Sequence, residues 1–474
     1  MSNTVTSKKI KEPTLGYSLI ALLCIIVFMA GGYILLNANF AILLFLGWLI
    51  AAAFAMGLGY KFTDIETLAY QSAQKGMGPA VIIMAVGLMI ASFMAAGTVP
   101  TVLVVGLKCI NPSVFLLVTY LLCCVTSLIT GTSWGTIGTV GVAMIGVGTG
   151  LGADLAITAG AIVSGAYFGD KMSPLSDSTI LASTMTGTEL WTHIKNMLWT
   201  TIPGAVICAI LYTVLGFSDA GESFDPAAIE TIIADMNSIY HIDLLAVLPL
   251  IVVVVLIALR ASTVGSLLVG SVLASVIAVA YQGCTMEEMA GYLYSGFVVE
   301  SNDAFLTGIL NRGGLTSMMS LVAMIIVALG LGGIISETGL LKPIFEAITK
   351  SIRSAKGVML MAWVVMWICI LIVPTYNFAF VLVPTLFNPL MKRYHLKTEN
   401  LSRVLEDVGT LGGNLLPWCV GPVYATGVLG IPTTEYWPYV YLSILVPIIS
   451  LIFILLGFKT KFEDGYTSQE VSRS

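Results

Sequence analysis

Charge is what this chain has least of. Only 10% of its 474 residues are Asp, Glu, Lys or Arg, against about 25% in an ordinary soluble domain. With 57% hydrophobic residues, that scarcity excludes a soluble enzyme or binding module. The formal net charge of −5 sits in tails and loops and offers no basic surface for nucleic acid. The eight cysteines form no C-x-x-C pair, so neither a zinc site nor a disulfide framework is expected. Histidine is nearly absent (His193, His241, His395), and no H-E-x-x-H helix occurs. Metal-dependent hydrolysis is therefore not expected, nor is any bound cofactor.

Long apolar runs are what the chain does have. Leu15–Leu36, Phe40–Leu58, Met197–Phe217, Leu244–Leu259, Val264–Tyr281, Leu321–Ile335 and Tyr439–Phe458 approach or exceed the roughly 20 residues that cross a bilayer. The first follows Lys8, Lys9 and Lys11, but it is longer than a signal-peptide core and leads straight into a second span. It reads as a transmembrane helix, with residues 1–14 a cytoplasmic tail by the positive-inside tendency. Tyr60–Gly78 is polar and reads as a surface helix. Trp437, Tyr439 and Tyr441 suit an interfacial belt.

Two stretches repeat at a constant separation of 243 residues. The pairs include Gly87/Gly330, Pro100/Pro343, Thr132/Thr375, Gly169/Gly412 and Pro174/Pro417. Prolines and glycines weigh more here than aliphatic coincidences. The charges differ between the copies. Lys342, Lys350, Arg353 and Lys356 form one basic loop and Lys392, Arg393, Lys397 and Arg403 another, whereas the matching first-half stretches hold only Lys108. Basic loops collect in the cytoplasm, so the copies are expected to be inverted, the construction of many secondary transporters.

Two pairs of interrupted segments follow. Val358–Val373 and Phe378–Met391 are short for crossings, lie between two basic loops, and flank Pro374-Thr375-Tyr376-Asn377. A re-entrant hairpin fits. Its partner is Val114–Thr130, Gly131-Thr132-Ser133-Trp134 and Gly135–Gly148. The second pair sets Gly169-Asp170-Lys171-Met172-Ser173-Pro174-Leu175-Ser176-Asp177 against Gly412-Gly413-Asn414-Leu415-Leu416-Pro417-Trp418. Glycine and proline unwind helices and free carbonyls. Carboxylates at that depth mark function, and a hard cation takes oxygen ligands. The bland alternative is an extramembrane loop in which Lys171 neutralises Asp170. The second-half partner is too apolar for an ordinary loop.

The run Gly131-Thr132-Ser133-Trp134-Gly135-Thr136 and the segment Gly169–Asp177 resemble the NhaC family of sodium/proton antiporters, some of whose members exchange malate for lactate. The resemblance continues through Arg312-Gly313-Gly314, 330–339 and 401–410, covering about 60–457. Ser178 stands where Thr is expected, and 412–418 departs from the family's usual pattern. The resemblance implies a scaffold and a transport part built from hairpins and broken helices, as in the wider ion-transporter superfamily. It implies a Na⁺ site at the midplane formed by Thr132, Ser133, Asp170, Ser173, Ser176 and Asp177. A second site for another ion or a substrate carboxylate would be formed by Thr375, Tyr376, Asn377 and Asn414. The expected division of labour gives the first half the negative charge and the second half neutral ligands.

Other charges have milder readings. Glu406 and Asp407 would pair with Arg403 on one helix, Glu337 would be interfacial, and Arg312 would pair with Asp303. Glu300 and Asp303 suit either a loop or a site, and Asp64 and Glu66 belong to the surface helix.

The expectation is an all-α polytopic protein of the inner (plasma) membrane, with inverted repeats, re-entrant hairpins and broken helices. Its parts are the tail 1–14, two spans and a surface helix in 15–76, a first repeat over 77–217, a connecting segment with spans over 218–319, a second repeat over 320–458, and the tail 459–474. It would transport Na⁺ and H⁺ as an antiporter rather than catalyse a reaction. The alternative is Na⁺- and H⁺-coupled exchange of small organic acids or amino-acid-like solutes. A channel is disfavoured because filters are usually rings of repeated groups. An intramembrane aspartyl protease is disfavoured because Asp170 and Asp177 share one segment. Partners are the lipid bilayer and the transported solutes, with homodimerisation left open.

Overall fold

The structure, a computed structural model, describes residues 10–36, 38–109, 111–223, 226–299, 310–463 and 466. Glu300 and Asp303 lie outside the described residues. Every regular element among those described is helical, and the only strand-like pairing there is an isolated bridge between Leu396 and Phe462. Among the described residues, eight helices are long and apolar enough to cross a membrane, or up to ten if each of two bent pairs counts as one span. The protein is thus an all-α, multi-pass membrane protein. The apolar runs read from sequence became helices at nearly the same limits, as in Leu15–Leu36, Phe40–Gly57, Leu244–Ala258 and Thr263–Ala280. The polar stretch became Phe62–Gln74, capped at neither end by a side chain.

Element limits recur at the 243-residue spacing. Ser133–Thr136, Ile137–Gly141 and Val142–Gly150 run end to end and match Tyr376–Arg393, while Asp177–Thr186 matches Val420–Leu429. The same chemistry ends both short helices. Gly187 and Gly430 sit in the left-handed region (φ 72° and 76°), where a side chain would be strained. Thr132 and Thr375 likewise start their helices from extended backbone, each accepting a backbone N–H on its hydroxyl. The first arm of the second hairpin is longer than its apolar run suggested. Ser354 caps it, so it spans Ala355–Ile372 and is long enough for a full crossing.

The two halves interlock. One apolar core is built from Met77–Ala95, Phe115–Thr130 and Leu155–Met172, yet it also takes Val420, Val423, Tyr424 and Ala425 from the second half. The other core joins the N-terminal helices to Met319–Glu337, Ala355–Ile372 and Tyr376–Arg393, and it takes Ala182 from the first. Each short helix after a break therefore packs into the opposite core, which sets the two breaks against each other.

Small residues permit the tightest crossing. Leu155–Met172 lies against Phe115–Thr130, where a Cβ at Gly165 would press on Tyr120 O, Cys123 Cβ and Cys124 N. Close approach through glycine is how helices gain dispersion contact in lipid. Gly165→Ala is expected to cost about 1–3 kcal/mol through overpacking. A thermal unfolding scan of the purified variant in detergent should therefore show a lower midpoint, and an unchanged midpoint would mean that the crossing is loose.

Candidate functional site

Leu155–Met172 ends where Ser173 turns to extended backbone (φ −78°, ψ 131°), and Asp177–Thr186 begins after Ser176. Pro174 lacks the N–H that would continue a helix. The break holds Asp170 one turn before the helix end, facing the other break of its own half. The Asp170 carboxylate accepts from Ser133 Oγ at 2.6 Å and from Ser176 Oγ at 2.5 Å. Ser176 Oγ lies 3.1 Å from Ser178 Oγ, and Thr179 donates to the Lys171 carbonyl at 3.0 Å. Asp170, Ser133 and Ser176 are all buried.

The other expected ligands are placed differently. Thr132 spends its hydroxyl as a helix cap for Gly135 N, yet it lines the same cavity. Ser173 is buried, and its hydroxyl accepts from Leu175 N at 3.3 Å. Asp177 is exposed to the cavity rather than buried. On the second-half side, Thr375 caps Asn377 N, and Asn377 is exposed. Asn414 is buried, donating to Thr410 O and Ser443 Oγ. Tyr376 lies within electrostatic reach of Asp170, Asp177 and Glu406.

Of the ten expected ligands, all except Ser173 and Ser176 border one cavity of ≈1340 Å³, which Lys75, Arg260 and Glu337 also line. Val420 N donates to Pro374 O at 3.1 Å, joining the two breaks of the second half. An aromatic pair ties the halves together. The Trp134 and Tyr424 rings stack 4.5 Å apart at 9°, and Tyr424 Oη donates to Trp134 O at 2.6 Å.

The buried charges find partners distant in sequence. Lys171 does not neutralise Asp170. Its ammonium forms a buried ion pair with Asp407, both side chains being 0% exposed, and Thr200 donates to the same carboxylate oxygen at 2.9 Å. Nor does Asp407 depend on Arg403, which donates to Asn196 Oδ1 at 3.2 Å and Lys459 O at 3.4 Å. Glu406 is fully buried. The second half thus carries two fully buried carboxylates near the site, against the expectation of neutral ligands only. Both sit on a π-helical turn, Leu405–Thr410, a device frequent at functional sites. Glu337 is exposed on the rim of the cavity. Arg312 donates to the Leu429 carbonyl at 3.2 Å, closing the end of the second short helix.

A family model described as the Na⁺/H⁺ antiporter family matches residues 5–166 and 165–458. A malate-2H⁺/Na⁺-lactate antiporter of Bacillus subtilis is 35% identical over 96% of this chain and 97% of its own. The Na⁺/H⁺ antiporter NhaC of Alkalihalophilus pseudofirmus is 35% identical over 94% of this chain and 96% of its own. The arginine/ornithine antiporter ArcD of Halobacterium salinarum is 32% identical over 98% and 96%.

Proposed function

The chain belongs to the Na⁺/H⁺ antiporter family, and on that premise we propose that it exchanges Na⁺ for protons across the cell's plasma membrane, with its N-terminus in the cytoplasm. Its family supports a transporter rather than an enzyme. Na⁺ would sit near the middle of the bilayer on Asp170, Ser133 and Ser176, with Thr132, Ser173 and Asp177 around them.

One observation carries this reading. Asp170 is a buried carboxylate held by two hydroxyls, while the adjacent lysine is committed to Asp407. An anion removed from water costs several kcal/mol unless a cation accompanies it. Na⁺ and H⁺ each supply that positive charge, and only one of them fits at a time. Competition for one carboxylate then produces antiport: a proton displaces Na⁺ on one face, and deprotonation on the other restores the site. Alternating exposure would come from one group of helices moving against the rest, in a fold built from two inverted copies. The recurring element limits support the duplication.

The cavity favours a second reading beside the first. A volume of ≈1340 Å³ far exceeds what one ion needs and matches or exceeds sites for small organic molecules, at about 300–1,000 Å³. Thr375, Tyr376, Asn377 and Asn414 would receive a small organic acid or an amino-acid-like solute there.

Proteoliposomes with an internal pH dye separate the two. If Na⁺ and H⁺ are the whole cargo, an imposed Na⁺ gradient alone changes internal pH. If an organic solute is obligatory, the change appears only when malate, lactate or an amino acid is added. No pH change under any of these conditions contradicts both readings.

A further inference from the structure

The π-helical turn Leu405–Thr410 carries a group of oxygens that the Asp170 site does not use. Glu406 is fully buried, and neither of its carboxylate oxygens finds a hydrogen-bond partner among the described residues. The Thr410 hydroxyl is buried and unpartnered in the same way. The Ser178 and Thr410 hydroxyls lie beside Glu406, with the Lys171 ammonium and the Asp170 carboxylate within electrostatic reach. His193 also feels the Lys171 charge, but its Nδ1 is engaged by Ser402 Oγ at 2.8 Å.

The balance of charge is unequal. The Lys171 ammonium bonds Asp407, and the other buried cation, Arg403, lies within electrostatic reach of Asp407 and Glu399. Asp170 and Glu406 remain as two carboxylates without an ion pair among the described residues. They are linked through one polar chain, in which Asp170 receives Ser176 Oγ, Ser176 meets Ser178, and Ser178 faces Glu406. When ionised, Glu406 needs a cation of its own, because the Lys171 ammonium is bonded to Asp407. A carboxylate flanked by hydroxyl oxygens is the donor set of a hard monovalent cation.

We propose that Glu406, Thr410 and Ser178 form a second monovalent-cation site, coupled to Asp170 through Ser176 and Ser178, so that the chain carries two Na⁺ at a time. The Lys171–Asp407 pair lies beside it and holds the turn in place. This rests on the Na⁺-exchange reading above and deepens it.

Equilibrium binding of ²²Na⁺ to the purified protein at alkaline pH tests the assignment. The wild type is expected to bind two Na⁺ per chain. Glu406→Gln should bind one, with the remaining ion lost on further replacement of Asp170 by Asn. Thr410→Val keeps the carboxylate and should retain two sites while weakening one of them about tenfold through loss of one oxygen ligand, an effect of the size of one charge-assisted polar contact. That variant removes only a hydroxyl, so it reports even if Glu406→Gln fails to fold. One Na⁺ per wild-type chain, or two in Glu406→Gln, overturns the second site and leaves Asp170 standing. Binding that survives Asp170→Asn unchanged overturns the Asp170 reading instead.

Discussion

Asp170→Asn is expected to abolish Na⁺-driven proton flux, by a hundredfold or more, while the protein still inserts and purifies as a monodisperse species. The substitution keeps the size of the side chain, and one serine hydroxyl still donates to the amide oxygen while the other turns to accept from the amide NH₂. What disappears is the negative charge. A neutral amide neither offsets the desolvation of Na⁺ nor carries a proton across. Hydrogen bonds to an ionised group contribute about 1.5–3 kcal/mol each, roughly twice a neutral pair. Ser133→Ala and Ser176→Ala should therefore raise the Na⁺ concentration for half-maximal flux by about tenfold or more, without abolishing it. Flux measured in proteoliposomes across this series separates the charge from its supports. Full activity in Asp170→Asn would remove the residue from the ion path.

The second large effect concerns Lys171 and Asp407. Breaking a buried ion pair by removing one partner costs about 3–5 kcal/mol, because the other charge is left uncompensated. Lys171→Met and Asp407→Leu should each lower thermal stability sharply and reduce expression. The double variant replaces both charges with apolar groups and is expected to recover most of the stability, since such replacements are often neutral or better. Transport should not recover with it, because the pair anchors the Asp170 break of one half to the π-helical turn of the other. A double variant as unstable as the worse single would contradict pairing, and one with wild-type flux would make the pair purely structural.

The architecture was largely legible in the sequence because lipid imposes length and polarity on every span. The breaks at Gly131–Thr132 and Pro374–Thr375 announced themselves as polar residues between apolar arms, and subtraction of residue numbers matched the halves. The charge assignments at the site were not legible, for a geometric reason. Adjacent residues on a helix point about 100° apart, so Asp170 turns toward Ser133 while Lys171 turns toward the opposite half. The sequence places Lys171 beside Asp170 and Arg403 one turn from Asp407, and local spacing favours both wrong pairs. The true partner of Lys171 is 236 positions away, and only the interlocking of the two cores brings it near. No composition signal marks the π-turn that buries Glu406 and Asp407. Asp177 illustrates the converse. It belongs to the polar motif, but as the first residue of its helix it faces the open cavity.

Na⁺ is held, on this reading, by the Asp170 carboxylate between the two breaks of the first half, those at Thr132–Ser133 and Ser173–Ser176. High-resolution structures of the protein in Na⁺-rich alkaline buffer and in Na⁺-free acidic buffer test it most directly. The account predicts ion density in contact with Asp170, Ser133 and Ser176 in the first and its loss in the second. Ion density confined to the exposed Asp177 side of the cavity, with Asp170 unchanged between the two conditions, would contradict it.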